Sequence, residues 1–196
     1  ADYENAFVKF ISSIPPDGFL IINADDTCLE KLARGAKAKV ISVRLGNSFT
    51  ARLAVNGDHN RSNAALAYRA ALELGVNDSE AKSALAVFKG TARRMELVGE
   101  KNGALIFDDY AHHPSEIKAT LAALRQKYPD KKIIAVFQPH TYSRTKALFG
   151  DFAGAFNDAD EIILTDVFSS AREQKDESVD IAKMTSAIGE KGGSAI

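Results

Sequence analysis

The chain has four histidines, and they fall in three polar clusters: His59 in NGDHNRSN, His112 and His113 in DDYAHHPSE, and His140 in FQPHTYSRT. An imidazole exchanges protons near neutrality and both donates and accepts hydrogen bonds, so this distribution points to a site rather than to packing. In the second cluster Asp108 and Asp109 close an apolar run, and the two imidazoles precede a helix start with unsatisfied backbone N–H groups. That combination suits a phosphate or a ribose. Neighbours on a strand face opposite ways, so at most one of the two carboxylates meets a ligand, and His112 and His113 diverge likewise. Asp with His also reads as a metal site, but no helical pair of histidines four apart supports it, and no metal ligand is assigned.

The third cluster repeats the design one strand later. Pro139 ends an apolar run, His140, Tyr142 and Ser143 fan out, and Arg144 follows in the first turn of a helix, where a positive charge opposes the helix dipole. Its guanidinium can hold a carboxylate or a phosphate through two parallel hydrogen bonds, which a lysine cannot copy. In the first cluster His59, Asn60 and Asn63 surround a helix start. Their side chains either cap that helix or read an adenine edge, since an amide offers a donor beside an acceptor. Of Arg93 and Arg94, which follow Gly90, at least one is placed to meet a phosphate.

The elements that must hold these clusters alternate. AFVKFISSI (6–14) has helical spacing and stops at Pro15-Pro16-Asp17-Gly18; FLIIN (19–23) and AKVISV (38–43) read as strands buried on both faces, with CLEKLARGA helical between them. An edge strand fits RLAV (52–55), and helices fit 62–74 and 79–88, closing at Gly75 and Gly90. MELVG and ALIFDDY then read as strands, Pro114 opens a helix, IIAVFQP (133–139) reads as a buried strand, 144–156 as a helix, 161–168 as a strand and 178–190 as a helix. Successive strand-helix units predict a doubly wound parallel sheet with ligands at the carboxyl ends of the strands, and the boundary between two lobes falls near residues 89–93.

Composition narrows the partners. The 196 residues carry 25 Lys and Arg against 26 Asp and Glu, and a net charge of -1 provides no global field for nucleic acid or an anionic membrane. No apolar run reaches the roughly 18–20 residues that span a bilayer, and ADYENAFVKF lacks the features of a secretory signal, so a cytoplasmic location is expected. Cys28, the single cysteine, excludes an internal disulfide and reads as a packed residue.

DHNRSNA (58–64), GTARRMELVGEKNGALIFDDYAHHPSEIKATL (90–121) and IIAVFQPHTYSRTKALFGDF (133–152), with NADD (23–26) in support, resemble in that order the Mur ligases, ATP-dependent enzymes that build the peptide of bacterial peptidoglycan. The resemblance covers nearly the whole chain, and FQPHTYSRT after DDYAHHP points to the member that adds L-alanine. It implies an α/β protein in which residues 1–92 are the later part of a central ATPase domain. Residues 93–196 would then form a Rossmann-like, doubly wound parallel-sheet domain, not quite complete, that receives the amino acid. The GxxxxGK[ST] phosphate loop of the family is absent from this sequence, so that loop and most of the Mg2+ shell are expected outside it, and these residues alone are expected to be inactive.

The implied reaction uses ATP to phosphorylate the carboxylate of UDP-N-acetylmuramate; the amine of L-alanine then displaces phosphate to form an amide. By matching motif, His59, Asn60 and Asn63 would contact adenine, Arg94 the phosphates and Asp109 the ribose. Tyr110, His112, His113, His140, Ser143 and Arg144 would line the alanine pocket, with Arg94, His112 and His113 nearest the chemistry. Two other functions stay open: a recycling ligase that joins a ready-made peptide to UDP-N-acetylmuramate, and a non-catalytic nucleotide-binding or interaction module.

Overall fold

A computed structural model describes residues 2–45, 49–171 and 173–196. The chain divides into two units, one ending at Lys89 and one running from Gly90 to Ile196. In the first, helix α1 (Asp2–Ser13) leads through a turn closed by Gly18 N–H donating to the Pro15 carbonyl at 2.9 Å into strand β1 (Phe19–Asn23). After helix α2 (Thr27–Ala33), strand β2 (Lys39–Val43) pairs with β1 in parallel, Phe19 opposite Lys39 and Asn23 opposite Val43. Asp26 starts α2 by accepting the N–H groups of Cys28 and Leu29. Ile11, Leu20, Ile22 and Ala33 form the core here.

Burial in β1 alternates, with Leu20 and Ile22 inside, so these strands are not buried on both faces as the apolar runs predict. Cys28 is exposed rather than packed, at the start of α2. The expected edge strand at 52–55 does not form: Leu53 instead packs irregularly against the cluster of Phe49, Ala64 and Ala65. Helix α3 (Asp58–Glu73) begins four residues earlier than its predicted start, which puts His59, Asn60 and Asn63 inside its first two turns. Gly75, at φ +86°, ends it, and helix α4 (Asp78–Val87), capped by Asn77, completes the unit.

The second unit opens on a tight turn. Gly90, Arg93 and Met95 have φ of +95°, +56° and +49°. Strands β3 (Glu96–Lys101) and β4 (Ala104–Asp108) then form an antiparallel hairpin. Its Asn102-Gly103 turn, at φ +52° and +80°, matches the twist of the flanking strands. Helix α5 (Pro114–Lys127) begins with proline, whose missing N–H costs nothing in a first turn.

Strands β5 (Ile134–Phe137) and β6 (Glu161–Leu164) pair in parallel, and the chain end runs beside β6, where Ile162 N–H donates to the Ser194 carbonyl at 2.8 Å. Between them, the single predicted helix is two, α6 (Tyr142–Ala147) and α7 (Phe149–Ala153), broken at Leu148, where ψ reaches 20°. Helix α8 (Ile181–Glu190) starts on Asp180. The core gathers Ile117, Leu121, Ile133, Phe137, Phe152, Phe156, Ile162, Met184 and Ile188. Val136, 69% exposed, shows that β5 buries one face, with Ala135 and Phe137 packed inward. The fold is α/β, and the carboxyl ends of β4 and β5 lead into the polar segments that carry His112, His113 and His140.

Candidate functional site

The DDYAHHPSE segment is organised by a residue that spacing alone did not single out, Glu116. His113 caps α5 through Nδ1, which accepts the Ser115 N–H at 3.3 Å, while Glu116 Oε2 reaches back to the N–H groups of His113 at 3.2 Å and His112 at 3.0 Å. This is the reciprocal capping box, with histidine where serine or threonine usually stands. The other oxygen, Oε1, faces Arg94 Nη1 at 3.5 Å. Partial burial pushes the Glu116 carboxyl up, but the His112 amide, the His112 charge, the His113 amide and Arg94 outweigh it and hold it below its ordinary value.

The two histidines face different partners and therefore offer different atoms. His112 Nδ1 lies 3.0 Å from the Tyr110 carbonyl, which can only accept, so Nδ1 carries a proton, and in the neutral ring Nε2 presents a lone pair. His113 Nδ1 accepts, so in the neutral ring Nε2 carries the proton. The Tyr110 ring stands edge-on to His112, with centroids 5.2 Å apart, and its face receives the Arg93 guanidinium at 4.8 Å.

The paired carboxylates take different partners. Asp108 Oδ2 accepts from Arg93 Nε at 3.3 Å. Asp109 accepts the Met95 N–H on Oδ2 and the Ala111 N–H on Oδ1, both at 2.8 Å, and so braces the turn that leads to Arg94. Each Asp109 oxygen keeps a second lone pair for a hydroxyl. A cavity of about 630 Å³ among β4, α5 and β5 reaches Asp108 and Asp109; Ile117, Leu121 and Phe137 are among its apolar walls, and Lys131 and Lys132 also line it.

Beyond β5, the His140 ring stacks on Phe168, centroids 5.6 Å apart and planes at 15°. The two backbones interlock: Phe168 N–H donates to the Pro139 carbonyl at 2.8 Å, and Thr141 N–H to the Phe168 carbonyl at 3.1 Å. Thr141 is held at φ +72°, a region that disfavours a β-branched residue. Arg144 Nη1 donates to the His140 carbonyl at 3.2 Å. Tyr142 and Ser143 donate their N–H groups to Glu173 Oε2 and Oε1, at 2.6 and 2.7 Å. The Ser143 hydroxyl and amide, then the Tyr142 amide and the His140 charge, outweigh desolvation and hold the Glu173 carboxyl below its ordinary value.

In the first unit His59, Asn60 and Asn63 lie along the start of α3. Gly57 is the cap residue, which has no side chain to cap with, and Asn60 Nδ2 donates to the Asn56 carbonyl at 2.7 Å. Asn63 lies three residues on from Asn60 and four from His59, which places all three along one flank.

Among the described residues, no group of three or more His, Cys, Asp or Glu side chains is placed to hold a metal ion. No described helix is long and apolar enough to cross a membrane.

An α/β unit with polar clusters at the carboxyl ends of its strands has the arrangement of a nucleotide- or substrate-binding domain. A family model described as Mur ligase, glutamate ligase domain matches residues 93–196, and the chain belongs to the Mur ligase family. It is 41% identical to the UDP-N-acetylmuramate--L-alanine ligase of Clostridium acetobutylicum over 97% of this chain and 47% of that protein. It also resembles the UDP-N-acetylmuramate-alanine ligase of Thermotoga maritima, with a TM-score of 0.72 and 23% identity, covering 98% of this chain and 45% of that one. A murein peptide ligase from Psychrobacter arcticus gives a TM-score of 0.64 at 25% identity over the same shares. The chain spans about half the length of the curated relatives it matches.

Proposed function

We propose that this chain is part of an ATP-dependent ligase that joins L-alanine to the carboxylate of UDP-N-acetylmuramate in peptidoglycan synthesis, in the cytoplasm. The observation that carries the reading is 41% identity to an alanine-adding ligase across nearly the whole chain. The site agrees with it: phosphoryl and acyl transfer ask the protein chiefly for positioned charge and oriented reactants, and here Arg94 and Arg144 supply positive charge while Glu116 and Glu173 hold the segments beside them.

In this reading His59, Asn60 and Asn63 contact adenine, Asp109 the ribose, and Arg94 the phosphates, with Glu116 holding Arg94 in place. Arg144 receives the alanine carboxylate beside His140 and Ser143, and Tyr110 closes the pocket. The lone pair on His112 Nε2 accepts the proton that the alanine amine releases as its nitrogen bonds to the acyl carbon and phosphate departs. His113 Nε2–H donates to an oxygen of the departing phosphate. A magnesium ion accompanying ATP would neutralise phosphate charge.

Phosphate release by the full-length protein tests this directly: it should require ATP, UDP-N-acetylmuramate and L-alanine together. Turnover with a ready-made peptide in place of alanine would mark a recycling ligase, a reading favoured only by the likeness to the Psychrobacter enzyme. Nucleotide binding without turnover would mark a binding module.

A further inference from the structure

Arg144 forms no ion pair among the described residues, and its one hydrogen bond is to the carbonyl of His140, four residues earlier in the same turn. The guanidinium is therefore aimed by backbone, and its direction is as well defined as the turn from His140 to Arg144. Within the turn, the Thr145 amide and hydroxyl donate to the Thr141 carbonyl at 3.1 and 2.7 Å, but Thr141 sits at φ +72° and α6 is six residues long with no side-chain cap from Thr141. Further restraint comes from beyond β6. Phe168 holds His140 and Thr141 through its ring and backbone, and Glu173, 30 residues from Ser143, takes the next two amides on separate carboxylate oxygens. Lys146 is tied to the same stretch, its Nζ 2.9 Å from Asp176 Oδ2.

We infer that Glu173 is a positioning residue for the amino-acid substrate: its bidentate grip on Tyr142 and Ser143 fixes the turn that aims Arg144 at the substrate carboxylate. The inference rests on the function proposed above. A carboxylate suits the task because two short charge-assisted hydrogen bonds define both the place and the rotation of the peptide planes they engage. Glu173 also saturates the amides that would otherwise compete for the incoming carboxylate, leaving Arg144 as its receiver. An adaptable loop could not hold a fork to the tolerance that productive orientation requires.

The test uses the full-length enzyme. Glu173→Ala should raise the KM for L-alanine about tenfold or more while the KM for ATP stays within about twofold, and amide exchange across 141–147 should quicken. Glu173→Gln keeps the size and one carbonyl acceptor, so it should recover part of the loss, and it carries both readouts if the alanine variant does not fold. Unchanged exchange in the variants overturns the inference, whatever the substrate. So does faster exchange with an unchanged KM for alanine, or an equal rise in both KM values, the mark of a merely structural role. A wild-type enzyme that does not require L-alanine would instead overturn the proposed function, and the exchange result would still decide whether Glu173 holds the turn.

Discussion

Glu116 accepts the backbone N–H of His112 at 3.0 Å with the same oxygen that lies 3.5 Å from the His112 ring nitrogen Nδ1. One carboxylate thus holds the backbone just ahead of α5 and stands, with the Tyr110 carbonyl at 3.0 Å, beside the same ring nitrogen. Through Oε1 it also restrains Arg94, so a capping residue links helix stability to two proposed functional side chains.

Replacing Glu116 with Gln keeps its shape and removes its charge. Because its carboxyl is held below the ordinary value, its stabilisation is present above the unfolded-state pKa of about 4.3 and is lost as pH falls through the lower folded value. The wild-type protein should therefore melt above Glu116→Gln at pH 7, by the equivalent of roughly 0.5–2 kcal/mol for a helix cap. The gap should close as pH drops below about 4. A gap of the same size at pH 3.5 would show that the ionised form contributes nothing.

Asp109 and Asp108 should respond differently to the same substitution. Asp109→Asn turns an NH2 group toward one of two backbone donors and should cost roughly 1–3 kcal/mol in denaturant unfolding. Asp108→Asn weakens one exposed pair with Arg93 and should cost about 0.2–1 kcal/mol. In the full-length ligase the KM for ATP should rise more for Asp109→Asn. Equal effects on both measurements would remove the distinction between brace and surface pair.

Much of this was legible from residue types. Pro114 marks the start of α5, the strand expected at 19–23 forms there, and the run 133–139 holds a strand at 134–137. Two of the three clusters lie at strand ends, after β4 and β5, where a polar run follows an apolar one. Glu116 escaped notice because histidine occupies the cap of a box usually opened by serine or threonine, so the familiar pattern is disguised. Glu173 carried no local signal at all, since its partners are 30 residues away and the pairing exists only once β5 and β6 align. The strand expected at 52–55 failed for the converse reason: its residues alternate suitably, but Leu53 gains more against Phe49 and Ala64 than from a ladder partner it lacks.

Arg144→Lys tests the receiver itself. The charge persists but the planar fork is lost, and a lysine cannot both donate to the His140 carbonyl and hold a carboxylate side by side. In the full-length ligase kcat/KM for L-alanine should fall roughly ten- to a hundredfold, with little change in the KM for ATP. Intact alanine kinetics with weakened ATP binding would move Arg144 to the phosphate site.

Thr141→Gly separates strain from function. At φ +72° and ψ 134°, threonine occupies a conformation costing roughly 1–3 kcal/mol, whereas glycine adopts positive φ freely but gives the unfolded chain about 0.5–1 kcal/mol of extra entropy. Relief of strain is the larger effect, so the variant should be more stable by up to about 2 kcal/mol. The same change loosens the turn between His140 and Arg144, because the threonine side chain no longer limits its backbone, and the KM for L-alanine should rise even as the melting temperature does. Those opposite movements, read by thermal unfolding and steady-state kinetics on one preparation, are the expected result; a variant both less stable and unchanged toward alanine would show that the Thr141 conformation is neither strained nor used.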